Sequence, residues 1–194
     1  MSEPNVRPET ARVPDTDPDT DPDRDDVLAA QRDRATFDTL YRRYLDRVYG
    51  YAFYQLRDHH DAEDATERTF LAALRALPEF RDEGATFRAW LFRIAHNTIV
   101  NARRSRSRWR TEPLPDGLDR IAPNADPAGL VVEADEARRV LRAVAELPAD
   151  RRQVVLLRFV DGLSSREIGH VMDRSEGAAR VLLHRALRDL AARL

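Results

Sequence analysis

Arg93, His96, Asn97, Asn101 and Arg104 recur at spacings of three and four residues, with Val100 among them, so a helix would gather them on one face. Two amides one turn apart suit hydrogen bonding to base edges, and the flanking guanidinium groups suit phosphate neutralisation. The run from Arg103 to Arg110 (RRSRSRWR) prolongs the cationic track. The stretch before it, FRDEGATF from Phe80 to Phe87, has an aromatic at each end, and stacking surfaces beside cations hold single strands. Phe87 and Trp90 fit a core better, which leaves Phe80 as the base-contacting aromatic. A second basic stripe, Arg180, His184 and Arg188 at i, i+4 and i+8, follows a tight turn at Asp173-Arg174-Ser175. Two helices joined by a short turn, the second presenting arginine along one face, is the geometry that enters a major groove. Arg174, beside the free amides of a helix start, would meet phosphate there. An ordinary helical hairpin with a solvated charged face accounts for the same pattern.

A third cluster, His59-His60-Asp61 with Glu63 and Asp64, has the composition of a metal site. Adjacent histidines on a helix point about 100° apart and lack the i, i+4 pairing of helical zinc sites. Capping and surface charge explain those residues, so no metal, cofactor or catalytic site is expected, and no enzymatic activity.

The elements that must position these residues are all helical in period, and no stretch shows sustained strand alternation. Phe37, Leu40, Tyr41, Tyr44, Val48, Tyr51, Ala52 and Leu56 form the apolar stripe of a long amphipathic helix. Asp61 as N-cap, with Asp64 at N3, opens a second helix that turns Ala65, Phe70, Leu71, Leu74 and Leu77 inward and stops at Pro78. A third runs from about Thr86 to Arg106, with Phe87, Trp90, Leu91, Ile94 and Thr98 inward. Four more are predicted: Val131–Glu146, Ala149–Val160, Ser164–Met172 and Glu176–Leu194. Ser164 and Glu167 form a capping box for the third of these, and Ser175 caps the last, whose inward stripe is Ala179, Leu182, Leu183, Ala186 and Leu190.

Composition divides the chain. Its 194 residues carry a net charge of −2, which resolves into −6 over 1–26, +5 over 27–110, −5 over 111–135 and +4 over 136–194. The first and third blocks are proline-rich and acidic, and read as a disordered tail (1–26) and a linker (111–130). Between and after them lie two basic helical blocks, 27–110 and 131–194. The chain is thus expected to be all-α, two small helical domains on a flexible acidic connection. The absence of cysteine excludes a disulfide framework, thiolate metal sites and cysteine nucleophiles. With no apolar run near 18 residues and no signal-like start, the expectation is a cytoplasmic protein without membrane insertion.

Four stretches in order, DAEDATERTFL (61–71), Phe80-Arg81, WLFRIAHNTIVN (90–101) and LPADRRQVVLLRFVDGLSSREIG (147–169) with SEGAARVLLHRAL (175–187), resemble bacterial sigma factors of the extracytoplasmic-function (ECF) group. The resemblance covers residues 35–110 and 131–194 and excludes the tail. It implies a transcription initiation factor, nucleoid-associated when active, whose partners are promoter DNA and core RNA polymerase through its β′ clamp helices and β subunit. Asp61, Asp64, Glu67, Arg68 and Leu71 would dock on the clamp helices. Phe80, Arg93, His96, Asn97, Asn101 and Arg104 would read the −10 element as its strands separate, with Phe80 lining the pocket of a flipped base. Arg174, Ser175, Glu176, Gly177, Arg180, His184 and Arg188 would read the −35 element as duplex. The family often works under an anti-sigma protein.

Three departures stand out. Glu67-Arg68 replaces the Gln-Glu of many members, Asp173 occupies a turn position that often carries Gly, and Leu182 and Leu187 stand where the recognition helix is often basic. A stand-alone helix-turn-helix regulator would use the C-terminal block alone, and would leave the N-terminal block without a task.

Overall fold

A computed structural model describes residues 21–82, 85–109 and 139–194, the last five of the middle segment by backbone only. The acidic stretch before Asp21, the 111–130 linker and the first half of the predicted Val131–Glu146 helix lie outside the described residues. Every regular element described is helical. In chain order they are α1 (Arg24–Arg32), α2 (Phe37–Leu56), α3 (His59–Ala76), α4 (Phe87–Trp109), α5 (139–145), α6 (Ala149–Phe159), α7 (Ser165–Met172) and α8 (Glu176–Ala191).

In the N-terminal unit α2 buries Phe37, Leu40, Tyr44, Val48, Tyr51 and Leu56, the expected stripe apart from Tyr41, which is 37% exposed. The left-handed residue that follows it, Arg57 (φ 56°), closes it by donating its backbone N–H to Phe53 O. Helix α3 starts earlier than expected. Asp58, not Asp61, is the N-cap, and its carboxylate accepts the Asp61 amide at 2.9 Å. The sequence places acids at both positions, and only the extended backbone of Asp58 allows the capping geometry. Leu71 does not turn inward; it is 43% exposed on the outer edge of α3.

Helix α4 is the central element. Phe87, Ala89, Leu91, Phe92, Ala95 and Ile99 are all buried, because α4 is covered on more than one side. Its start is held by a segment that composition assigns to the tail. The buried Asp21 carboxylate accepts the Phe87 amide and the Asp23 amide, and Asp23 in turn accepts from Arg43 and from the Tyr44 hydroxyl. Residues 21–26 therefore belong to the fold, and α1 already begins at Arg24. Net charge and proline content could not reveal that two of those acids are buried and bonded.

In the C-terminal unit the capping box forms as read: the Glu167 amide donates to Ser164 Oγ (3.2 Å) and the Ser164 amide to Glu167 Oε2 (2.8 Å). Asp173 takes the left-handed turn position (φ 55°). Gly169 is what lets α7 and α8 close on that turn, since a Cβ there would stand 2.7 Å from Arg174 O. Ser175 caps α8 through the Ala178 amide, and Ala179 and Ala186 are its buried contacts. The buried apolar residues of the two units form one continuous core.

Candidate nucleic-acid interface

Two faces could meet nucleic acid. Along α4, Asn97, Asn101 and Arg104 are exposed in succession, so the two amides share a solvent-facing stripe. Arg93 and His96, expected on the same face, look toward the C-terminal unit instead. His96 Nδ1 lies 2.6 Å from Gln153 Nε2, and burial lowers its pKa. Arg93 lies 4.0 Å from the Asp173 carboxylate. Phe80 does not stand free in a loop: it is 7% exposed, packs edge-on against Phe87 and lies tilted against the Trp90 ring, 4.9 Å away. Gln31 ties this segment down by donating to Leu77 O and Phe80 O.

Along α8, Arg180, His184 and Arg188 are exposed on one side, as spacing requires. Val181 (51% exposed) and Leu187 (38%) flank them on either side, so the cationic stripe has apolar edges. Ser175 and Glu176 stand at its N-terminus, and Glu176 pairs with Arg180 one turn on. A Cβ on Gly177 would meet nothing within 4 Å, which leaves open space over the first turn. Arg174 is 4.0 Å from Asp150.

A third surface is apolar. Helices α2 and α3 leave a groove of about 520 Å³ between them, walled by Tyr41, Leu45, Tyr49, Phe70, Leu71 and Leu74 and edged by Glu63 and Glu67. Asp64 and Arg68 pair at 2.7 Å on the exposed side of α3, and Asp61 is half-buried at its start. The groove escaped sequence reading because Leu71 and Tyr41 sit at positions that helical period assigns to the core. His59 and His60 do not converge. His59 Nδ1 lies 2.6 Å from the Tyr49 hydroxyl, while His60 Nδ1 is 4.0 Å from Glu63.

The two units meet along a polar seam. Glu167 accepts the Thr86 hydroxyl at 2.6 Å and both oxygens accept Arg88 at 2.9 Å. Burial pushes the Glu167 carboxyl up, but Thr86, the Ser164 amide and Arg88 outweigh it, and its pKa lies below the ordinary value. Asp161 is the opposite case. It is fully buried, neither carboxylate oxygen has a hydrogen-bond partner, and Arg47 Nε stands 3.6 Å off. Burial raises its pKa to about 7 against the pull of Arg47 and Arg88. Near the far end of the seam three arginines gather. Burial, with Arg57 and Arg103 close by, lowers Arg152 to about 10.

Comparison with known proteins accounts for both units. Residues 40–109 match the model of sigma-70 region 2, and residues 137–190 match that of sigma-70 region 4. The chain is 39% identical over 156 residues to the ECF RNA polymerase sigma factor BldN of Streptomyces coelicolor, covering 80% of this chain but 59% of BldN, so it spans about three fifths of that relative's length. It is 31% identical over 166 residues to the ECF RNA polymerase sigma-E factor of Haemophilus influenzae, covering 80% of this chain and 86% of the relative. Among solved structures it is similar to CnrH in complex with the cytosolic domain of CnrY, with a TM-score of 0.65, 26% identity, and 88% and 95% of the two chains covered.

Proposed function

The chain belongs to the sigma-70 family, in its ECF branch, and from that membership we propose that it is a transcription initiation factor that brings core RNA polymerase to promoters. The observation that carries this reading is the pair of faces, each in its own matched region: the exposed Asn97–Asn101 stripe on α4 and the arginine-bearing face of α8. The amides of Asn97 and Asn101, with Arg104 beside them, would take bases of the −10 element as its strands part, with Phe80 and the partly buried Trp90 packed on it as the aromatics of that face. Helix α8 would lie in the major groove at −35, with Arg180 and Arg188 on guanine edges or phosphates, His184 between them, and Val181 and Leu187 against thymine methyls. Arg174 and the backbone at Ser175, Glu176 and Gly177 would meet phosphate at the helix start.

The α2–α3 groove supports polymerase binding, since an amphipathic helix laid in an apolar groove is a recurrent docking mode. Leu71 would supply its apolar wall and Glu67 its charged edge, with Asp61, Asp64 and Arg68 as further contacts on the adjoining surface of α3. An anti-sigma protein is a further partner under this reading, and the site of action is the cytoplasm. Among the described residues no helix is long and apolar enough to cross a membrane. No chemistry is assigned to the chain, whose role is binding and strand opening.

The test is capture by core polymerase in competition with another sigma factor. Displacement is the expected result, and Leu71→Asp should abolish it while leaving the fold intact by circular dichroism. A chain that binds DNA but never core polymerase would instead be a stand-alone regulator.

A further inference from the structure

We propose that Asp21 and Gln31 are positioning residues for strand recognition: they clasp the two ends of the connection between α3 and α4, and so fix the aromatics Phe80, Phe87 and Trp90 against the amide stripe of Asn97 and Asn101. The inference rests on the reading of α4 as the −10 helix. It adds to that reading two residues that precede the matched sigma-70 region 2, which begins at residue 40.

Each grip has its own geometry. Gln31, on α1, donates from its side-chain amide nitrogen to Leu77 O and to Phe80 O, both at 2.9 Å, and so holds the exit from α3. Asp21, ten residues earlier in the chain, accepts the Phe87 amide at the entry to α4. Its other oxygen accepts the Asp23 amide at 3.0 Å, and its carbonyl accepts the Arg24 amide at 3.1 Å, which turns the chain into α1. Asp23 accepts from Arg43 and from the Tyr44 hydroxyl of α2, and the Tyr44 ring lies 5.8 Å from that of Phe87. Helix α1 is thus a strut between the two grips, seated by buried Val27 and Ala30. Phe80 packs between the fixed points, its ring 5.9 Å from Phe87 and 4.9 Å from Trp90.

Stability alone does not call for this chemistry. Asp21 and Asp23 are 3% and 2% exposed, and burying neighbouring carboxylates is unfavourable beside apolar residues of similar volume. Burial raises the Asp21 pKa against the pull of the Phe87 and Asp23 amides, and the charges of Asp23 and Asp82 add to the rise. What the carboxylate supplies is direction. The first turn of a helix carries free amides and the positive end of the dipole, so it attracts phosphate. On α4, Asp21 takes the Phe87 amide and Thr86 Oγ takes the Ala89 amide at 3.2 Å. The DNA backbone is thereby denied the end of the helix, and the strand is left to the side on which Asn97 and Asn101 stand. These lie ten and fourteen residues beyond Phe87, about 15 and 21 Å along the axis. Because α4 is continuous, a shift at Phe87 is carried to both amides.

The test uses the full chain assembled with core RNA polymerase and two short labelled single strands, one with the selected −10 sequence and one with that element scrambled. Binding is read by fluorescence anisotropy, well below the melting temperature of each variant. Asp21→Ala removes the acceptor for Phe87 and should weaken the selected strand about tenfold, the size of one lost base contact, while leaving the scrambled strand unchanged. Asp21→Asn keeps an oxygen for the Phe87 amide and should restore most of the preference. Gln31→Ala retains a good helix former in α1 and should cost about threefold, as expected for loss of neutral hydrogen bonds. Capture by core polymerase and duplex −35 binding should be unchanged in all three. Strand preference intact in Asp21→Ala and Gln31→Ala, whatever their melting temperatures, reduces the clasp to packing and overturns the proposal. If Asp21→Ala does not fold, Gln31→Ala decides alone, and an intact preference there overturns it. Equal losses on both strands, or lost −35 binding, overturn it as general damage to the fold. Failure of the promoter reading shows separately, as wild-type chain that gives core polymerase no preference between the strands, and the role of the clasp falls with it.

Discussion

Helices α4 and α8 carry the two candidate DNA faces, and they differ in what covers them. Helix α8 touches protein through Ala179 and Ala186 and leaves Arg180, His184 and Arg188 open to solvent. Helix α4 is gripped on several sides, with Arg93 and His96 turned into a seam and, among the described residues, an edge of Asn97, Asn101, Arg103 and Arg104 exposed. A helix that reads duplex DNA from outside needs one anchored face and one free face. The more enclosed helix, on the proposed function, meets single-stranded DNA along that exposed edge alone.

Removing the tight approach behind α8 should break the comparison most severely. Gly169→Ala drives a Cβ to 2.7 Å from Arg174 O, and overpacking of this kind costs about 1–3 kcal/mol. Melting of the C-terminal unit should fall by several degrees and duplex −35 binding should be lost, while single-strand binding through α4 persists.

Substitution within each face should come next. Arg180→Ala should weaken duplex −35 binding about tenfold, on the order of 1–2 kcal/mol, and leave single-strand affinity alone. Asn97→Ala should do the reverse. Fluorescence anisotropy on the two templates separates them, and equal losses on both would dissolve the distinction between the faces.

A smaller effect is expected from pH. The Asp161 pKa is raised, so its contribution to stability is complete below its ordinary value near 3.8 and is lost as pH rises through about 7. Burial lowers the pKa of His96, and burial with Arg93 lowers that of His170 against the pull of Asp173, so their contribution is present above about 6.5 and is lost as pH falls. Thermal stability should therefore peak between those limits. Asp161→Asn should flatten the alkaline limb of the melting-temperature profile, and a limb unchanged by that substitution would assign the titration elsewhere. The least effect belongs to Arg68→Ala, whose exposed pair with Asp64 should cost under about 0.5 kcal/mol of stability by thermal melting.

Much of this was legible from spacing. The helical period gave the stripe of α2, the Ser164–Glu167 box and the Ser175 cap survive intact, and the exposed face of α8 falls where i, i+4, i+8 puts it. What spacing could not supply were pairings across the chain. Glu167 reads as a cap and nothing in its neighbourhood announces Arg88, 79 residues away. Asp21 reads as one acid in a proline-rich run, yet it holds the start of α4, 66 positions on. Phe80 reads as a loop aromatic because the bonds from Gln31 that pin its backbone are invisible to local pattern. Asp58 and Asp61 compete for the same cap, and backbone conformation alone decides.

Run-off transcription with core RNA polymerase, from a promoter selected with the chain itself, tests the central claim most directly. Initiation should depend on the chain, fall strongly with either element scrambled, and fall with Asn97→Ala at the step of strand opening while polymerase binding is retained. Transcripts no more abundant than those from core polymerase alone would contradict the account.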